Sequence, residues 1–258
     1  MPVTIPETTP EETGNWRSSL KWILPVLFKP AKGLQEITSR EKAFWFMPLV
    51  AISLAALLTI LVAGPIRTQQ TQMGTNLPAD FQYYTPEQQQ QFMQAQQSSS
   101  SPLFAYVFPA ITLLAGVWIS WALLGGMLHL GLTLAGSRSS SVKSLNLTAW
   151  SGLPFAVRYI IQAVYILFTR NLIASEGLSG LATTGSFFSA FLNQVDIYLI
   201  WQIVLIFIGV PMIAGMARRK AWLVTGIVFF ILLLLSSLPS FGISRFSGVG
   251  PIQPFFFF

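Results

Sequence analysis

Five apolar runs, each long enough to cross a lipid bilayer as a helix, fill most of residues 43–240. A crossing takes about 20 residues, and hydrocarbon offers no partner to a backbone N–H or C=O, so such runs cross as helices. The chain is therefore expected to be all-α: a polytopic transmembrane helical bundle of five spans with interfacial helices. The spans are read as about 43–64, 103–125, 154–172, 196–216 and 221–239. Only 9% of the residues are charged, against about 25% in a soluble domain.

Between the runs the composition changes sharply. Residues 1–15, rich in Pro and Thr, read as a disordered cytoplasmic tail. Residues 16–42 mix Trp22 and other apolar side chains with Lys29 and Lys32, the pattern of an amphipathic segment lying in the headgroup layer. Pro30 suits the first position of a short helix to about Thr38, where its missing N–H costs nothing. The first apolar run is too long for a signal peptide core and is expected to stay as an anchor. Pro65 is expected to end it. A Gln-rich extracytoplasmic loop, 65–102, follows; in it Thr85-Pro86-Glu87-Gln88 predicts a capping box opening a helix over 86–97.

The second run, apolar to Ala135, is too long for one upright span. It predicts a tilted span with a helical tail after a bend at Gly125-Gly126. The third lies within 145–172. Either it starts near 145, or Ser151-Gly152-Leu153-Pro154 breaks it, leaving an interfacial segment at 142–151. In the outer loop 174–195, SFFSAFLN (186–193) sets its apolar residues on one helical face and predicts an interfacial helix. Only residues 217–220 separate the last two spans, which form a tight hairpin. Residues 241–258, after Pro239, form an extracytoplasmic aromatic tail.

Placing the fifteen Lys/Arg on alternate sides puts eleven on one and three on the other, with Arg158 inside the third span. The positive-inside rule then sets the N-terminus in the cytoplasm and the C-terminus outside. The predicted location is a cell membrane, crossed several times. Trp22, Lys29, Lys32, Arg218, Arg219 and Lys220 are the expected interface anchors.

Polar residues inside spans are the candidate site. For Arg158 two readings stand: a residue that couples to a solute or ion, or a snorkelling side chain one turn from the inner interface. His129, the single histidine, has no nearby carboxylate in sequence, and packing or an interhelical hydrogen bond accounts for it. Asp196 opens the fourth span, where the helix dipole favours a carboxylate, and Arg170 is its expected partner. Gln162 and Gln202 are placed to hydrogen-bond across helices.

Several chemistries have no residues to support them. There is no cysteine, hence no disulfide or thiolate. There is no phosphate-cradling Gly-x-x-x-x-Gly-Lys, no Gly-x-Ser-x-Gly, and one histidine cannot build a zinc protease site. No enzyme activity, cofactor or metal is expected. The pI near 9.8 reflects cations beside spans, where anionic headgroups attract them, and not a nucleic-acid surface.

Taken in order, the features resemble a known family. A Pro30-Ala31-Lys32-Gly33-Leu34 helix leads into the first span through Arg40-Glu41-Lys42. Trp150-Ser151-Gly152-Leu153-Pro154 precedes the third. The close is Asp196-Ile197-Tyr198-Leu199-Ile200-Trp201 with Gly209, a basic turn, and Lys220-Ala221-Trp222. Over about 20–240 this resembles the bacterial branch of the Yip1 domain family of five-span membrane proteins. The resemblance implies a helical bundle with a cytoplasmic N-terminus. Eukaryotic members associate with Rab-type GTPases and with each other, but their Asp-Leu-Tyr-Gly-Pro segment is missing here, which weighs against a small GTPase partner. The expected role is a non-catalytic scaffold, adaptor or accessory subunit of a membrane complex, an ABC-type exporter being one such complex. Its partners would be the bilayer and other membrane subunits or further copies of itself. The alternative is a small-solute transporter or channel using Arg158.

Overall fold

A computed structural model describes residues 20–39, 42–72, 81–99, 101–173, 177–178, 181 and 187–247. The expected tail at 1–15 and the end of the chain after Ser247 lie outside them. Among the described residues all regular structure is helical. Helices α1 (Ile23–Phe28) and α2 (Pro30–Ser39) precede α3 (Phe46–Gln72). Then come α4 (Pro86–Ser99), a π turn at Leu103–Val107 and α5 (Phe108–Leu134). Helices α6 (Ser141–Ser151), α7 (Leu153–Thr169) and α8 (Phe187–Gln194) lead to α9 (Ile197–Ala214) and α10 (Arg218–Ser247). Five helical stretches are long and apolar enough to cross a membrane, α6 and α7 together forming the third.

Four boundaries differ from the sequence reading. The first helix runs through Pro65 to Gln72. The second continues through Gly125-Gly126 to Leu134 without a break, and the last passes Pro239 and reaches Ser247. The fourth difference is residues 142–151. In α6 Ser144, Asn146, Leu147, Thr148, Ala149, Trp150 and Ser151 are all buried, and the helix joins α7 in one stretch long and apolar enough to cross a membrane. Only Gly152, still right-handed helical, separates α6 from α7. Pro154, at the second position of α7, lacks a donor that the first turn does not need.

Contacts set the directions of the helices. Thr59 donates to the Tyr159 carbonyl and Ile66 packs with Ile166, so α3 and α7 run parallel. Trp118 donates to Ser53 and the Trp45 and Trp121 rings lie 4.6 Å apart, so α5 runs antiparallel to α3. Close approach is bought with glycine at two crossings. A Cβ on Gly64 would stand 2.0 Å from the Tyr106 ring, and one on Gly209 would stand 2.2 Å from Leu147. Leu54, Leu61, Ile111, Phe168 and Leu223 stay exposed around the outside, a surface suited to lipid.

Helix α6 uses its polar side chains inward. Residues 43–45, just before α3, form no regular structure, so their backbone groups need partners from elsewhere. Asn146 Oδ1 accepts the Phe44 N–H at 2.8 Å, and Asn146 Nδ2 donates to the Lys42 carbonyl at 3.1 Å. One turn on, Trp150 Nε1 donates to the Phe44 carbonyl at 2.8 Å, and the Phe44 and Trp150 rings stack at 5.2 Å. Thus α6 clamps the run-in to α3. On the cation-rich side, α2 closes the bundle with Leu34 and Ile37 fully buried.

The loop helix α4 opens on the expected capping box: Gln88 N–H donates to Thr85 Oγ1 at 3.3 Å, and Thr85 N–H to Gln88 Oε1 at 3.0 Å. Phe81 and Phe92 pack at 5.3 Å and hold the helix to the turn before it.

The α6 clamp gives a test. Asn146→Leu removes the side-chain bonds to the Phe44 N–H and the Lys42 carbonyl and is expected to lower stability by about 1–3 kcal/mol. Thermal unfolding in detergent reads it. An unchanged melting temperature would mean the clamp does not hold α3.

Candidate functional site

The intramembrane polar residues meet at one level of the bundle. Arg158 sits on α7, about 25 Å along the α6–α7 rod from Ser141 at 1.5 Å per residue. Its Nε lies 3.2 Å from Asp196 Oδ2, and the two side chains are only 8% and 13% exposed. Asp196 is the N-cap of α9, and its other oxygen, Oδ1, accepts the Leu199 N–H at 2.7 Å. The carboxylate thus serves a helix end and a guanidinium at once, as a buried charge requires.

This geometry bears on two expectations. Arg158, for which solute coupling and snorkelling both stood open, meets a carboxylate in the interior of the bundle. Asp196 pairs with Arg158 and not with Arg170. Arg170 is the exposed, left-handed C-cap of α7 (φ 55°), about 18 Å farther along the helix axis. The start of α9 therefore lies well below the end of α7.

The segment before Asp196 goes down with it. Helix α8 turns Ser189 and Gln194 inward, both buried, and leaves Phe188 exposed on its apolar face. Gln194 Nε2 donates to Ser237 Oγ at 3.0 Å, while Ser236 Oγ donates to Gln194 Oε1. Ser237 in turn donates to the Leu233 carbonyl of its own helix. Helix α8 is thus fixed to α10 by amide–hydroxyl bonds and, through Asp196, to α7.

Gln202 lies one to two turns into α9 and is 5% exposed. It lines a cavity of about 40 Å³ with Ser120, Thr148 and Tyr159. Gln202 Oε1 and Ser120 Oγ are buried there without a protein partner. The space suits a water molecule or two and is far below the roughly 300 Å³ of a small-molecule pocket. Gln162, one turn beyond Arg158, is half-buried. His129 is not part of this level; it lies about 13 Å farther along α5 from Ser120, with a buried, unpartnered Nδ1.

The expected interface anchors collect at the other end. Ser137 Oγ donates to the Ala214 carbonyl at 2.7 Å and joins the α5–α6 turn to the end of α9. Arg218, Arg219, Lys220, Lys29 and Lys32 are exposed. Arg218 lies over Trp222, 5.6 Å from the ring centroid, and Lys21 over Trp22 at 5.4 Å.

Sequence reasoning missed Asn146, Gln194, Ser236 and Ser237. Their partners lie 42 to 104 residues away, and only polarity inside an apolar stretch could have marked the two serines. Chemically the level offers an ion pair and neutral hydrogen bonds. No group of three or more metal-ligating side chains occurs among the described residues.

A double-mutant cycle measures the pair. Arg158→Leu takes the guanidinium from the buried Asp196, and Asp196→Asn takes the carboxylate charge from Arg158 while keeping the α9 cap; breaking the buried pair either way is expected to cost about 3–5 kcal/mol. The double variant is expected to recover a large share of that loss. Unfolding in detergent reads all four proteins, and additive losses would show that the two side chains do not interact.

No curated protein and no solved structure matches the chain. The Yip1 domain family model matches residues 24–238, from the first turn of α1 into α10. With that match spanning most of its length, and with five apolar helices to cross a bilayer, the chain belongs to the Yip1 domain family of integral membrane proteins.

Proposed function

We propose that the protein is a non-catalytic scaffold or accessory subunit of a membrane complex, assembling with another integral membrane subunit or with further copies of itself. One observation carries this reading: Arg158, Asp196, Asn146 and Gln194 are engaged within the bundle itself. Arg158 holds Asp196, Asn146 holds the backbone at 42–44, and Gln194 holds the α10 serines. Groups arranged this way brace a bundle. Beyond the bundle, α4 and the turn before it offer a surface to a partner, with Tyr83 81% and Met93 54% exposed. Transport through Arg158 has less behind it, because the residue is engaged by a carboxylate and the adjoining cavity of about 40 Å³ is too small for a solute.

The orientation proposed with it is N-terminus in the cytoplasm of a bacterial cell. Lys21, Lys29 and Lys32 around α1 and α2, Arg138 and Lys143 at the α5–α6 turn, and Arg218 to Lys220 in the first turn of α10 lie at one end of the bundle, and α4 lies at the other. An excess of Lys/Arg on one side supports that side as cytoplasmic.

Extraction of the full chain into nanodiscs, followed by mass measurement, tests the role. A stoichiometric second subunit, an exporter component included, or a defined oligomer is expected. A monomer that conducts solute in proteoliposomes, and stops on Arg158→Leu, would contradict it. For orientation, Met93→Cys in this cysteine-free chain is expected to react with an impermeant maleimide in intact cells. Lys220→Cys is expected to react only after permeabilisation, and the reverse pattern would invert the topology.

A further inference from the structure

The α9–α10 hairpin carries two apolar grooves, one on each side of the Trp222 ring. The first, of about 510 Å³, is lined by Val204 and Pro211 and by Arg218. The second, of about 600 Å³, is lined by Gly226, Phe230 and Arg219. Phe207 and Trp222 line both. Trp222 Nε1 donates to the Phe207 carbonyl at 2.9 Å, which fixes the indole as a wall between them. Arg218 and Arg219 are consecutive, exposed and in the first turn of α10. Among the described residues no carboxylate lines either groove.

We propose that this hairpin binds one anionic phospholipid, with one acyl chain in each groove astride Trp222 and the phosphate held between Arg218 and Arg219. Helix α10 is one of the five apolar helices, so its grooves face hydrocarbon and its basic first turn sits at headgroup depth, where Trp is favoured. A diacyl lipid has two apolar chains meeting at one phosphate. The hairpin has two apolar grooves meeting at two neighbouring guanidinium groups, which hydrogen-bond phosphate oxygens in a fork geometry. A zwitterionic headgroup carries its own cation and competes less well. Ala31 of α2 also lines the first groove, so the bound lipid would seal α2 against the hairpin.

The test titrates the full chain in detergent with phosphatidylglycerol or phosphatidylcholine and counts bound lipid by native mass spectrometry. One phosphatidylglycerol per chain is expected to be retained in preference to phosphatidylcholine. Arg218→Gln and Arg219→Gln should each weaken it about fivefold. Gly226→Leu fills the second groove; a Cβ there approaches only Phe207 Cζ, at 4.0 Å, so the helix should fold while the lipid is lost. Val204→Trp fills the first groove and carries the same test should Gly226→Leu melt early. Equal retention of the two lipids would overturn the proposal. So would groove variants that keep phosphatidylglycerol while arginine variants lose it, since that is bulk charge attraction. A Gly226→Leu protein that loses a second copy of the chain in place of a lipid would overturn it as well.

Discussion

The Arg158–Asp196 ion pair determines where the fourth spanning helix begins, and much of the bundle follows from that depth. An arginine in an apolar helix costs about 2.5–3.5 kcal/mol on insertion scales, and a carboxylate partner offsets part of that cost. By meeting the N-cap of α9, Arg158 sets the start of that helix well below the end of α7. Helix α9 has only 18 residues, and its lower end still reaches the α5–α6 turn at Ser137. The chain before Asp196 must then descend into the bundle, which places Gln194 beside Ser236 and Ser237. A buried pair adds little net stability over well-packed apolar residues. Its effect here is on register: α9 can slide along α7 only by separating the two charges.

Helix α6 shows a second use of polarity in an apolar setting. Its Asn146 and Trp150 bind backbone groups of the residues just before α3. Thr148 and Ser151 return their hydroxyls to carbonyls of their own helix. A helix that is polar by composition is thereby buried. The packing glycines complement this, since Gly209 allows Leu147 of α6 to lie directly against α9. A membrane protein held in this way keeps its polar groups for internal bracing and leaves its apolar faces for lipid and for partners, which is the basis of the scaffold reading.

The number of crossing helices was legible because hydrocarbon permits few alternatives to a run of twenty apolar residues. Local chemistry was legible too: Pro30 opens α2, and Thr85 with Gln88 forms the capping box of α4. Pro65 and Pro239 misled, because each stands inside a helix that continues beyond it. Helix α6 misled for another reason. Its Ser, Asn and Thr residues match a headgroup segment by composition, and the backbone they serve lies about a hundred residues earlier. Asp196 was recognised as a helix cap, but sequence spacing carries no depth, so the nearer-looking Arg170 was chosen over Arg158.

The central claim is that the ion pair holds α8 down inside the bundle. Ser189→Cys, a near-isosteric change on the buried side of α8 in a chain without other cysteines, tests it by its rate of reaction with an impermeant maleimide in membranes. The account predicts slow labelling beside a Tyr83→Cys reference, and a clear rise when Arg158→Leu is added. Labelling as fast as that of Tyr83→Cys with Arg158 intact would place α8 in water and contradict it.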